Sequence, residues 1–335
     1  MSRPSALARA HTMVEPGLRK AIGTLDAHLR IPAEYHFGWV EIDGTPTSSG
    51  GGKGVRPALA MLGAEAVRAD ASVAAPGAVA LELIHNFSLI HDDIMDGDRT
   101  RRHRRTVWDV YGVGDAILVG DAMHTLAFQV LLDDPTPTHL AAANRLGLAV
   151  SAIITGQAQD TALDRSREAT LAACLVMAGN KTGALLAQCA AIGAVLGGAD
   201  DETANALDRF GAELGLSFQA VDDVLGIWGD PQETGKPVGN DLRARKKSMP
   251  VAMAFDDGGT LADDLRTAFD AEQVSDADVA RLSEQLDAVG IRRRVLELAR
   301  THLDAALAAL ASRPLVDSAA AELADLARFV VDRNH

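Results

Sequence analysis

The chain has 335 residues, a formal charge of −14, 47% hydrophobic residues and only 4% aromatic ones. That length is enough to bury a substantial core, and the acidic balance argues against nucleic acid or an anionic membrane as the main partner. Cys174 and Cys189 lie in apolar sequence without the spacing of a disulfide or metal framework, and the first residues lack an apolar run of signal-peptide length, so a reducing, cytoplasmic setting is expected.

Alanine and leucine dominate, strand-favouring runs are sparse and helical periodicity recurs nearly everywhere. The chain is therefore expected to be all-α and a single domain. Its expected parts are an N-terminal helix and flexible loop over 1–50, a motif-bearing core over 53–250 and C-terminal helices over 251–335. Val14, Leu18, Ile22, Leu25 and Leu29 predict an opening helix that Pro32 ends. Glu34–Trp39 reads as an aromatic knot and Asp43–Gly52 as a flexible loop. Lys53 and Arg56 then leave a glycine-rich segment one helical turn apart, with Pro57 suited to a helix start. Two cations beside a helix N-terminus make an anion site, although a pair of surface charges would look the same.

Leu81–Trp108 organises the rest. Leu83, Ile84, Phe87 and Ile90 mark an apolar helix that ends in Asp92, Asp93 and Asp96, three carboxylates close enough on one helix end to require a cation. Oxygen ligands with room for water suit Mg2+, which takes a couple of carboxylates plus substrate phosphates. Arg99, Arg101, Arg102, His103, Arg104 and Arg105 follow at once, and carboxylates beside guanidinium groups suggest metal-bridged phosphate. Only Asp222-Asp223 repeats this context of paired carboxylates at the end of an apolar helix, and Gln219 is placed to meet both. The other Asp pairs read as turns or caps.

Further helices are expected over Asp109–Pro135, Leu140–Asp160 and Asp201–Trp228. Gln157 and Asp160 are weak candidates to face a site. Thr182–Ala199 is uncharged and long enough to raise a membrane question, which a buried central helix answers more simply. Gly235–Pro250 reads as a cation-rich loop containing Lys236 and Lys246, with Asp241 available to neutralise one of them.

GGKGVRP, HDDIMD followed by RR, FQAVDD and GKPVGNDLRARKKS, in that order, resemble the signature set of the trans-isoprenyl diphosphate synthases, the polyprenyl synthetase family. The resemblance implies an isoprenoid synthase-type helical bundle around a central hydrophobic cavity, with the two acidic helix ends facing one another across it. It implies Mg-dependent condensation of isopentenyl diphosphate with an allylic diphosphate by a homodimer, without stable membrane insertion. It carries over three Mg2+ held by Asp92, Asp96 and Asp222, with Asp93 and Asp223 completing the catalytic carboxylates.

By the same resemblance, Lys53, Arg56, His85 and Arg102 hold isopentenyl diphosphate, while Arg101, Lys181, Thr182, Gln219, Lys236 and Lys246 surround the allylic diphosphate. Without it His85 reads as a core histidine and Thr182 as a helix cap. Phe87 and Ser88, just below Asp92, would set chain length, and a bulky ring there resembles the geranylgeranyl type. Two departures stand out: Gly226 where the second motif usually has its third aspartate, and Trp108 where histidine is common. They leave open a terpene cyclase-like relative, or a non-catalytic subunit of a prenyltransferase.

Overall fold

The computed structural model describes residues 4–47, 54–230 and 237–332. The chain forms two compact units, one of 1–150, 188–208 and 310–326, the other of 151–187, 209–309 and 327–335.

The first unit is built around α4 (Ala75–Asp96). Its apolar positions bury Leu81, Leu83, Ile84, Phe87 and Ile90, and each such side chain contributes roughly 1.5–3 kcal/mol when removed from water. α6 (Val113–Leu132) packs along α4, and α1 (Ser5–Gly23) and α3 (Val55–Ala66) cover its other faces. α4 stops at Gly97, whose φ of 69° supplies the left-handed cap. A two-stranded hairpin follows, β1 (Thr100–Arg101) with β2 (Arg104–Arg105), turning on Arg102 and His103 at φ 51° and 63°. Among the described residues this is the only sheet in an otherwise helical chain.

The opening helix expected to end at Pro32 is two helices. α1 closes at Gly23, and α2 (Ala27–Phe37) starts on the Asp26 side chain, which accepts from the His28 N–H, and runs through Pro32. Pro32 lies past the first turn, so α2 forms at the cost of the backbone hydrogen bond that a proline cannot donate. The aromatic knot forms: Phe37 stacks on Trp39 at 4.7 Å and Tyr35 meets Tyr111 edge-on at 5.6 Å. Of the stretch expected to be a loop, residues 43–47 belong to a hydrogen-bonded turn, with the Glu41 N–H donating to the Thr45 carbonyl and the Thr47 N–H to the Trp39 carbonyl, and residues 48–52 lie outside the described residues. The helix expected from Asp109 is likewise split, into α5 (Val107–Tyr111) and α6, by Gly112 at φ 96°.

α7 is Pro137–Arg165 and α8 is Leu171–Ala178. A π-turn over Gly179–Gly183 joins α8 to α9 (Ala184–Leu196), in which residues 185–196 are buried, as expected for a core helix. Two other helical stretches, 71–96 and 113–132, are long and apolar enough to cross a membrane by length and composition alone.

α10 spans Asp201–Trp228 and is followed by α11 (Asn240–Arg243) and α12 (Met249–Asp257). α13 (Gly259–Asp270), α14 (Asp276–Ala288), α15 (Ile291–Ala311) and α16 (Asp317–Val331) complete the chain. Within the second unit the Ser217 hydroxyl of α10 donates to the Ala299 carbonyl of α15 at 2.7 Å, and α12 packs on α8 and α13.

Candidate active site

In the first unit the carboxylates lie in the last turns of α4, where unpaired carbonyls already make the helix end negative. Asp92 is half-buried, Asp96 exposed and Asp93 buried. Asp93 turns toward the hairpin, where Arg101 Nε donates to its Oδ1 at 2.7 Å, and its Oδ2 is buried without a hydrogen-bond partner. Burial, partly offset by Arg101, raises its pKa to about 6. Asp93 thus anchors the hairpin to the helix end. A cavity of about 100 Å3 opens here, lined by Asp93, His36, Arg101, Arg102, Arg104 and Arg105.

Behind it lies a polar chain on the inner face of α4. The Asn86 amide donates to the Glu82 carbonyl at 2.7 Å, and its oxygen meets His36 Nε2 at 3.0 Å. Burial raises the pKa of Glu82, opposed by Arg56 and Arg102. Burial also lowers His85 well below the usual histidine value, and the same two arginines add to that effect. Arg56, Arg102, Glu82 and His85 are therefore brought into one electrostatic neighbourhood, and His85 is a neutral imidazole at pH 7. Of the expected isopentenyl diphosphate ligands, Lys53 lies outside the described residues.

In the second unit, Lys181 Nζ is 2.5 Å from Asp160 Oδ2. Gly156 makes this approach possible, because a Cβ there would lie 2.4 Å from the Lys181 nitrogen. Thr182 does not cap a helix as the alternative reading had it. It sits in the π-turn, a feature common at functional sites, and its hydroxyl donates to Gln219 Oε1 at 2.8 Å. The Gln219 amide in turn donates to Asp223 Oδ1 at 2.8 Å, and the Met249 N–H donates to Oδ2 at 2.9 Å. Burial, with Asp241 as the next cause, pushes the Asp223 pKa up to about 7. Asp222 is exposed, one residue away on α10.

Gly226 packs against Asp241: a Cβ at 226 would lie 2.1 Å from Asp241 Oδ2. The carboxylate that the second motif lacks at 226 is thus replaced in space by one from α11. Lys246 is half-buried, its backbone N–H donating to the Asp241 carbonyl at 2.9 Å, and Lys236 lies outside the described residues.

A polyprenyl synthetase profile matches residues 45–286. The chain belongs to the polyprenyl synthetase family. It is 45% identical over 331 residues to a (2E,6E)-farnesyl diphosphate synthase of Mycobacterium tuberculosis, covering 98% of this chain and 92% of that one. It is 43% identical over 307 residues to a geranylgeranyl diphosphate synthase of the same species, covering 91% and 87%. A crystal structure of a polyprenyl synthetase from Streptomyces coelicolor superposes with a TM-score of 0.94 at 46% identity, covering 98% and 99%. The chain is therefore an all-α prenyltransferase of the isoprenoid synthase fold.

For this polyprenyl synthetase the donor chemistry fits Mg2+. The carboxylates in the last turns of α4 and α10 offer oxygen alone, and among the described residues no three His, Cys, Asp or Glu side chains form a closed metal-binding group. Trp108, the other departure from the family pattern, donates from Nε1 to the Asp98 carbonyl at 2.8 Å and supports the loop after α4. Sequence reasoning missed His36, Asn86 and Glu82, which carry no motif, and could not assign Asp241 a place beside Gly226. Asp160, only weakly signalled, is the Lys181 partner.

Proposed function

We propose that this prenyltransferase condenses isopentenyl diphosphate with an allylic diphosphate in a Mg2+-dependent reaction, giving geranylgeranyl diphosphate as its main product. The observation that carries the reading is the pairing, in each unit, of carboxylates near a helix end with cations. One unit pairs Arg101 with Asp93, the neighbour of Asp92 on the helix end that also carries Asp96, and the other holds Asp223 on the Thr182–Gln219 relay, with Lys181 paired to Asp160.

In this reading Asp92, Asp96 and Asp222 would hold three Mg2+, which when bound would supply positive charge to offset that of the allylic diphosphate. Arg101, Lys181, Lys236 and Lys246 supply fixed positive charge around the same group, and Thr182 and Gln219 orient the carboxylate of Asp223. Preorganised charge of this kind costs no reorganisation as the carbon–oxygen bond breaks. Lys53, Arg56, His85 and Arg102 hold isopentenyl diphosphate so that its terminal carbon bonds to the allylic carbon as the diphosphate departs, and positioning supplies much of the acceleration. The proton lost from the joined chain goes to the released diphosphate, so no protein base is needed.

Product length rests on Phe87, whose ring is buried below Asp92, and on Ser88, whose small side chain is turned back to the His85 carbonyl at 2.8 Å. A homodimer is part of the proposal. It is supported by Ile117 and Leu118 of α6 and Leu140 and Leu148 of α7, large apolar side chains that are 42–65% exposed. Cytoplasmic placement is supported by Cys174 and Cys189, buried thiols whose pKa values burial pushes up to about 12.

Incubation of the pure protein with labelled isopentenyl diphosphate, each allylic diphosphate and Mg2+ tests the proposal. A labelled twenty-carbon prenol after dephosphorylation is the expected product. A fifteen-carbon or longer product corrects the length alone, whereas cyclic hydrocarbons or no incorporation would overturn the condensation.

A further inference from the structure

Arg245 follows α11 in a backbone conformation that its side chain does not favour. Its φ is 55°, in the left-handed region where a residue with a Cβ is strained. Such a conformation persists when the surroundings over-determine it, and it clusters at functional sites. Here the surroundings are the C-terminal end of α13, where the last carbonyls have no partner within the helix. The Arg245 guanidinium reaches three carbonyls at and just past that end. Nη1 donates to Phe269 at 3.2 Å and to Ala271 at 3.0 Å, and Nη2 donates to Glu272 at 2.8 Å.

Lys247, two residues on, turns to the same helix end. Its buried ammonium donates to the Arg245 carbonyl at 3.1 Å and to the Asp164 carbonyl at 3.4 Å, and it lies 5.4 Å from the centre of the Phe269 ring. The Lys247 carbonyl accepts from the Cys174 thiol at 2.9 Å. Lys246 is the residue between these two anchors. Residues 246–248 form no helix of their own, so the bonds to α7, α8 and α13 fix their course in place of a backbone ladder. All of these contacts lie within the second unit.

We infer that Arg245 is a positioning residue: its guanidinium, fixed on the end of α13, sets the place from which the Lys246 ammonium serves the allylic diphosphate. The inference rests on the condensation reading above, which gives Lys246 to the allylic side. Arg245 bonds protein carbonyls and in this role touches neither substrate. A lysine is a point charge on a flexible stem, whereas the planar fork of an arginine holds several acceptors at once. Charge aimed at a diphosphate acts most strongly when its position is set before the substrate arrives, and Arg245 supplies the fixity that the lysine stem lacks.

The test compares the full-length wild type with Arg245→Gly, Arg245→Lys, Lys246→Ala and Arg245→Gly/Lys246→Ala. Glycine adopts the left-handed conformation freely, so the first variant removes the guanidinium without straining the turn. Each protein is supplied with labelled isopentenyl diphosphate, Mg2+ and the allylic diphosphate on which the wild type is most active, with each substrate varied in turn. Inhibition by inorganic diphosphate against the allylic substrate is measured alongside. Arg245→Gly is expected to lower kcat/KM for the allylic substrate by about tenfold and to weaken inhibition by diphosphate, with the KM for isopentenyl diphosphate within about twofold of wild type. Arg245→Lys keeps the charge without the fork and is expected to fall between the two. Lys246→Ala is expected to cost about 100-fold, and in the double variant the change at 245 should cost nothing further, because the residue it places is gone.

A loss at 245 that is the same with Lys246 present and absent, or that falls equally on both substrates, is a general loosening of the fold and overturns the positioning role while the condensation stands. Wild-type kinetics in Arg245→Gly overturn it too. Where Arg245→Gly melts too low to assay, Arg245→Lys reads the same split between the substrates, and equal effects on both overturn the role. A wild type that incorporates no label overturns the condensation and this inference together.

Discussion

The carboxylate of Asp241 fills the place where a side chain at Gly226 would begin, with Oδ2 2.1 Å from an added Cβ. A carboxylate from α11 thus approaches α10 where the helix itself has none. It also acts on Asp223, where it is the largest charge raising that carboxyl's pKa.

Gly226→Asp should therefore harm the protein although it restores the usual family motif. Overpacking of this kind costs about 1–3 kcal/mol, and two carboxylates would compete for one space. A fall of several degrees in melting temperature and lower activity are expected. The swap Gly226→Asp/Asp241→Gly should recover part of both, because one carboxylate then occupies the space. Melting curves and turnover of the three variants check this, and a Gly226→Asp enzyme as stable and active as wild type would show that the contact is not restrictive.

The two adjacent carboxylates of the first motif should behave differently. Asp92→Asn and Asp96→Asn are expected to lower kcat by about 1,000-fold, or ~4 kcal/mol, and to raise the Mg2+ concentration needed for half-maximal rate. Asp93→Asn keeps an acceptor for Arg101 and should cost only about tenfold, ~1.4 kcal/mol, with the Mg2+ requirement unchanged. Chelation of the wild type should abolish turnover while far-ultraviolet dichroism stays constant. Magnesium titrations of the three variants decide the matter, and identical curves would remove the distinction.

How far the sequence could be read depended on whether a signal was local. The acidic helix ends were legible because an apolar 3.6-residue period runs into paired aspartates in α4 and α10, and α10 has the expected bounds of Asp201–Trp228. Pro32 misled because a proline past the first turn costs a helix one backbone hydrogen bond without having to end it, and the Asp26 cap that starts a new helix just before it is a local feature the apolar period does not show. The Gly226–Asp241 and Arg245–Phe269 contacts join residues far apart in sequence, and no periodicity encodes them. His36, Asn86 and Glu82 were invisible for the same reason: their significance lies in hydrogen bonds that exist only once α2 and α4 are packed within their unit.

Lys181 is held by Asp160 at 2.5 Å, in a pair whose side chains are 20% and 15% exposed. Fixing the ammonium before substrate arrives should favour the allylic diphosphate specifically. Lys181→Gln is expected to lower kcat/KM for the allylic substrate by about 100-fold, ~2.7 kcal/mol, while the KM for isopentenyl diphosphate moves by less than about threefold. Asp160→Asn should weaken allylic binding less, since it loosens the lysine without removing it. Steady-state kinetics with each substrate varied in turn measure the split, and equal losses for both substrates would count against Lys181 belonging to the allylic side.

His36 gives the protein a calculable pH response. Burial first, then Arg102, lowers its pKa from 6.5 to about 3. In the unfolded chain the ring takes up a proton near pH 6.5, whereas in the folded chain it does so only near pH 3. Between those values the unfolded state holds more protons, so the unfolding free energy rises with pH, by up to about 1.4 kcal/mol per unit for this one group. Stability is thus fully present above pH 6.5 and is lost progressively as pH falls toward 3, and His85, shifted the same way, steepens the loss. His36→Gln keeps a donor for Asn86 Oδ1 but cannot titrate. Urea unfolding between about pH 5 and 6.5 should show a slope shallower in the variant by up to one proton's contribution. Identical slopes would mean that His36 is not held neutral in the folded chain.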